Sequence, residues 1–159
     1  MPEFLTSDVM SLRVRYPSSW YLSEKPVPLL VVPRQLFALS TQPIRLTPTS
    51  SDQPRPMIAG LPSDSMFVWC YAQQPTDPDP LDPGVVPDYS RYSFPLQYAE
   101  SEVLPSYSAR EWDPADFLWR RLGFAAKGWT ISVWIWEGTH ASQADVDAAG
   151  DIVTSVALS

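Results

Sequence analysis

Cys70 and His140 are each the only residue of their kind in this 159-residue chain, and together they could form a nucleophile–base pair. Such a pair needs a cysteine that water reaches and a base that ionises it. The surroundings of Cys70 argue otherwise. In the run Met66 to Gln73 (MFVWCYAQ), alternation puts Met66, Val68, Cys70 and Ala72 on one side of a strand, and that side is wholly apolar. A free cysteine there is a small core hydrophobe. His140 falls in a loop before a helix and is expected in solvent. A single cysteine excludes an intramolecular disulfide and a multi-cysteine metal site, and a single histidine disfavours a histidine-based one.

The carboxylates give no firmer chemistry. Asp77, Asp79 and Asp82, with Asp88 nearby, gather as they would in a calcium loop, but Pro78, Pro80 and Pro83 stiffen the chain where such a loop needs a sharp glycine turn. They read as a solvated acidic loop. Asp113 and Asp116 could be an acid–base pair or simply first-turn acids of a helix. No glycine-rich phosphate loop and no Gly-x-Ser-x-Gly elbow is present. No catalytic residue, metal ligand set or cofactor is therefore expected.

The aromatic pattern is more informative. From Trp129, alternation sends Trp129, Ile131, Val133 and Ile135 one way and Thr130, Ser132, Trp134 and Trp136 the other. If 117–126 is the partner strand, Leu118, Leu122 and Phe124 form a second apolar row, with Trp119 and Arg121 opposite. Phe67, Trp69 and Tyr71 share a face, as do Arg13 and Arg15. One side of a sheet would then be aliphatic and the other aromatic with arginines. Trp, Tyr and Arg dominate interface hot spots. Trp119, Arg121, Trp134 and Trp136 are accordingly the candidate binding residues, with a protein as the expected partner and a non-enzymatic binding or assembly module as the expected function. Three alternatives stand beside it. The face could be structural, lying beneath a second helix or the proline-rich loops. A small ligand or substrate could use an aromatic platform, the acidic loop or a pocket. The chain could also be a structural subunit of a larger complex.

The elements that must position these residues are marked by proline. All 18 prolines lie between Pro2 and Pro114, and Ser63 to Gln74 has none. Proline removes a backbone donor, so the proline-free stretches are where central strands and a helix belong. Leu12 to Tyr16 (LRVRY) alternates as a half-buried strand. Leu29 to Val32 and Leu36 to Leu39 read as one interrupted strand or two short ones. Ile44 to Leu46 and Arg91 to Tyr98 are weaker candidates, the latter broken or edged by Pro95. Thr41 to Pro62 and Pro75 to Pro87 are otherwise loops. Residues 113–122 are ambiguous, with strand favoured from about Trp119, turning at Lys127-Gly128 into a hairpin with Trp129 to Glu137. Ser142 to Asp145 resembles a capping box, and Val146, Ala149, Val153 and Val156 place one apolar stripe on a helix. The fold class is α+β, a single domain over 1–159: a central antiparallel sheet flanked by helices, with the C-terminal helix packed on it.

Composition narrows the partners. A formal net charge of −7 argues against nucleic acid, which needs clustered Lys and Arg. No apolar run approaches the roughly 20 residues of a spanning helix. MPEFLTSDVM has neither a basic nor an apolar leader region, so a cytoplasmic protein is expected, or an extracytoplasmic one read without its signal. Arg outnumbers Lys 9 to 2 and Asn is absent, a composition associated with GC-rich genomes such as those of actinobacteria.

Two regions together resemble the PsbP-like fold. One is Leu12 to Trp20 (LRVRYPSSW), a strand followed by Tyr-Pro-x-x-Trp. The other is Gly128 to Gly138 (GWTISVWIWEG), the loop His140-Ala141-Ser142, and a helix ending Ile152 to Val156 (IVTSV). That fold is shared by an extrinsic photosystem subunit, a eukaryotic Ran-binding protein and many small bacterial proteins and lipoproteins. The resemblance implies an antiparallel sheet with helices on both faces. It implies no single function, and no functional residue of the family has a matching motif here.

Overall fold

The computed structural model describes residues 2–6, 11–23, 34–43, 61–73, 88–104 and 117–158. Its largest unit grows from the most β-prone stretch of the chain. Strand β5 (Met66–Gln73) pairs on one edge with β4 (Arg34–Ser40) and on the other with β8 (Trp129–Gly138). β8 is the second arm of a hairpin whose first arm is β7 (Phe117–Ala126), joined through Lys127-Gly128. Both turn residues have positive φ, 53° and 81°, the left-handed pair that lets a two-residue turn follow the strand twist. β3 (Tyr21–Ser23) and β6 (Glu102–Val103) complete an antiparallel sheet of six strands in the order β3-β4-β5-β8-β7-β6. In β4 the register slips between Gln35 and Phe37, and the extra residue brings Leu36 into the same cluster as Phe37 and Leu39.

Helix α1 (Gln143–Ser155) packs on this sheet. Ser142 caps it, its hydroxyl accepting the Asp145 N–H at 3.1 Å. Ala149, Ile152 and Val153 are the buried stripe, with Val146 at its margin and Val156 just past the last turn. They meet the aliphatic side of the sheet, where Val68, Cys70, Leu122, Val133 and Ile135 lie. Cys70 is thus a core residue, as its alternation requires.

The first long strand lies elsewhere. β2 (Ser11–Arg15) sits between β1 (Pro2–Thr6) and β9 (Ala157–Leu158) in a separate antiparallel sheet, β1-β2-β9. Leu12 and Val14 enter the helix-side core, while Arg13 and Arg15 face solvent. The arginines therefore do not join the aromatic side of the large sheet. Their strand pairs with β1 and β9 instead.

Residues 88–104 form a strap around the β7 edge. Tyr89 lies over Gly123, and its hydroxyl is 2.7 Å from that of Ser132. The Tyr92 hydroxyl donates to the Arg121 carbonyl at the strand edge. Phe94 meets Phe124, Leu96 enters the helix-side core, and Tyr98 lies beside Gly150 of α1. The strand expected at Arg91 to Tyr98 is not formed. That segment is turns leading into a single 3₁₀ turn, Tyr98–Glu100, because its aromatic side chains wrap the strand edge rather than pairing along it.

The segments Leu29 to Val32, Ile44 to Leu46, Pro75 to Pro87 and Asp113 to Asp116 lie outside the described residues, as do Asp77, Asp79 and Asp82. A second helical layer is not among the described residues. No described helix is long and apolar enough to cross a membrane.

Candidate functional site

Alternation along β5, β7 and β8 gathers Phe67, Trp69, Tyr71, Phe117, Trp119, Trp134 and Trp136 into one cluster on the sheet side away from α1. The three predicted tryptophans meet directly. Trp119 stacks on Trp136 with centroids 6.1 Å apart and planes 7° from parallel. Trp134 stands edge-on to both, at 5.6 Å from each. Trp69 and Tyr71 meet Trp134 edge-on from β5, at 5.2 and 4.9 Å. These offset and T-shaped arrangements are what aromatic quadrupoles favour.

The cluster is closed. Trp134 and Trp136 are 0% exposed and Trp119 is 2% exposed, so none offers a face to solvent. Leu61 and Leu104 are among the residues that pack against it. Burial of these rings agrees with a structural role for this face, while most of the proline-rich segments that could cover it lie outside the described residues. Arg121 belongs to the same side, in register with Trp134, and its guanidinium donates to Glu102 across the β6–β7 pair at 3.2 Å. Among the described residues, the indole N–H groups of Trp134 and Trp136 have no hydrogen-bond acceptor. A buried neutral donor without a partner costs about 1–3 kcal/mol, which surrounding ring faces offset only in part.

On the helix side a polar trio is half-buried. Arg120 pairs with Glu137 at 3.5 Å and lies 5.0 Å over the Tyr98 ring, while the Tyr98 hydroxyl donates to Glu137. Burial first, then this bond to Glu137, holds the Tyr98 phenol well above its ordinary range. Burial likewise pushes the Cys70 thiol far up, leaving it an inert thiol. His140 is exposed and shares a hydrogen bond with Ser63 at 3.0 Å, so Cys70 and His140 each have other neighbours. Asp88 accepts the Ser90 N–H at 3.0 Å.

Arginine chemistry is exposed at a different place. A cavity of about 540 Å³ opens between β2 and the last turn of α1, lined by Arg13, Arg15, Tyr16, Pro17, Asp151, Thr154 and Ser155. Its walls are tied together. The Arg15 N–H donates to Ser155 Oγ at 2.8 Å, and the Ser155 hydroxyl hydrogen faces the carbonyls of Ile152 and Arg15, at 2.8 and 3.2 Å. Among its described lining residues, two guanidinium groups stand against one carboxylate, a locally basic set on a chain of net charge −7. Arg15 makes no ion pair among the described residues. The shared face of Arg13 and Arg15 was readable from alternation. Asp151, Thr154 and Ser155 were not, because they join the arginines only through a strand–helix contact about 140 residues apart in sequence.

Compared with known proteins, the chain matches no protein-family model, no curated protein and no solved structure.

Proposed function

We propose that this protein is a non-enzymatic binding or assembly module for a protein partner. The aromatic layer of Trp119, Trp134 and Trp136, bordered by Arg121, is its rigid interior, and the basic groove between β2 and α1 is its contact surface. One observation carries this reading: Arg13, Arg15 and Tyr16 converge on an open groove whose walls are locked by Ser155. Arg and Tyr are the side chains that dominate interface hot spots, and a groove set before binding reduces the ordering cost of association. A local positive spot on an acidic surface supports an acidic contact on the partner and fixes its orientation. The strand, Tyr-Pro turn, hairpin and C-terminal helix also support kinship with the PsbP-like fold.

The test compares three forms of the protein in affinity capture from native lysate. The wild type should retain a defined partner. The Arg13→Glu, Arg15→Glu double variant should lose it while keeping its thermal midpoint, since both side chains are exposed. A Trp134→Ala, Trp136→Ala variant should unfold. Retention of the partner by the charge-reversed variant would sink the reading, as would a wild type that retains nothing specific.

A further inference from the structure

A second opening lies against the strap, and its chemistry differs from that of the basic groove. It is a cleft of about 380 Å³ bounded by the strap and the hairpin end of β7 and β8. Among the described residues, four that line it are aromatic, Tyr89, Tyr92, Phe94 and Phe124, and the one charged lining residue is Asp88. The rings sit in two tilted pairs, Phe94–Phe124 at 4.8 Å and 58°, and Tyr89–Tyr92 at 6.0 Å and 51°. Phe94 is 46% exposed, a large apolar ring that the fold leaves open on one side.

We propose that this cleft binds a small quaternary ammonium compound, through cation–π contact with its rings and charge pairing with the Asp88 carboxylate. Three observations converge on that class. First, several rings beside one carboxylate are the surroundings in which an organic cation is held. Second, the Arg91 guanidinium already lies 4.7 Å over the Tyr92 ring and donates to its hydroxyl, so a ring of this wall takes a cation on its face. Arg91 is also the charge a ligand must work against, and it does not line the cleft. Third, a net charge of −7 raises the local concentration of cations around the chain. The alkylated form is favoured over a primary ammonium. Besides Asp88, the described polar side chains that line the cleft offer only hydroxyls, those of Ser90, Thr130, Tyr89 and Tyr92, and the last two are already bonded, to Ser132 and to Arg91 and the Arg121 carbonyl. A strongly hydrated –NH₃⁺ would exchange its water for too few acceptors, whereas methyl groups fit apolar ring walls. The Ser90 hydrogen bonds hold the Asp88 carboxyl below the ordinary range, so it is charged at neutral pH.

Calorimetric titration with choline tests this, with its uncharged carbon isostere 3,3-dimethylbutan-1-ol and methyl glucoside as controls. Choline should bind, and the isostere should bind about tenfold more weakly, the size of a partly desolvated cation–π contact. Phe94→Ala and Asp88→Asn should each weaken choline roughly five- to tenfold. Asp88→Asn keeps the acceptor for Ser90 N–H, so it reports on charge even if Phe94→Ala loosens the strap. Phosphatidylcholine vesicles form a second arm. Co-sedimentation that choline competes away assigns a lipid headgroup as the source, and its absence beside choline binding assigns the free compound. No detectable choline binding, equal binding of the isostere, binding of methyl glucoside in its place, or indifference to both substitutions would overturn the proposal.

Discussion

Along β5 and β8, Val68, Cys70, Val133 and Ile135 point toward α1, while Trp69, Tyr71, Trp134 and Trp136 point the other way. Both sets are fully buried, yet they are closed differently. The aliphatic side has no shape of its own to offer and is sealed by a helix stripe of small and branched residues, Ala149, Ile152 and Val153. The aromatic side interlocks with itself through edge-on and stacked rings drawn from three strands. A helix packed on aliphatic residues can shift by fractions of an ångström and keep its contacts. Interlocked rings cannot, because each fills the notch left by its neighbours. A run of tryptophans on one strand face, which reads as a docking surface by composition, is equally a way for a sheet to close a face rigidly.

The largest effect is expected on the ring side. Trp134→Ala should cost about 3–5 kcal/mol in urea unfolding, more than Val153→Ala on the helix side. Equal costs would mean that the rings pack no more tightly than the aliphatic residues. Next comes the backbone beneath the strap. A Cβ at Gly123 would stand 2.1 Å from the Ile131 carbonyl and 2.7 Å from the Tyr89 ring. Gly123→Ala should therefore lose about 1–3 kcal/mol and alter the near-UV signal of Tyr89. A value near zero would show that the strap rides loosely on the sheet.

The helix side should show itself in alkali. Burial holds the Cys70 thiol protonated in the folded state, so that contribution to stability is intact below the unfolded thiol's value of about 8.5. It falls as pH rises beyond that, by about 1.4 kcal/mol per pH unit, because only the unfolded chain releases the proton. Tyr98, raised in the same sense, adds to the loss once its unfolded phenol titrates. Cys70→Ala should lower stability at pH 7 yet flatten its decline between pH 9 and about 10; an unchanged slope would mean that water reaches the thiol. The smallest effect is at the helix start, where Ser142→Ala should cost about 1 kcal/mol and leave the aromatic near-UV spectrum unchanged. A change in that spectrum would show that the two faces are coupled through the sheet.

Features written in local alternation were legible. Strand β5 has the bounds expected from MFVWCYAQ, the Lys127-Gly128 hairpin forms as its turn chemistry requires, and Ser142 starts the helix. Features that depend on distant pairing were not. The alternation of Leu12 to Tyr16 reveals which residues share a side, but not that the strand leaves the main sheet for β1 and β9. The strap is hidden from local pattern for a related reason. Tyr92, Phe94 and Tyr98 look β-prone one by one, yet each is spent on a different surface of the β7 edge. Of the predicted binding residues, the grouping of Trp119, Trp134, Trp136 and Arg121 was readable and their enclosure was not, since burial depends on what lies over a face.

The pairing of β2 with the Ser155–Leu158 segment also has a consequence in time. Synthesis at roughly 5–20 residues per second would leave β2 without that edge for roughly 7–30 seconds after it emerges. The three-stranded sheet would thus be among the last parts of the chain to assemble, and limited proteolysis of a released chain truncated before Ser155 should cleave near Arg13 and Arg15 while sparing the hairpin core. Protection of those arginines in the truncated chain would show that β1 and β2 hold together without the segment that follows the helix.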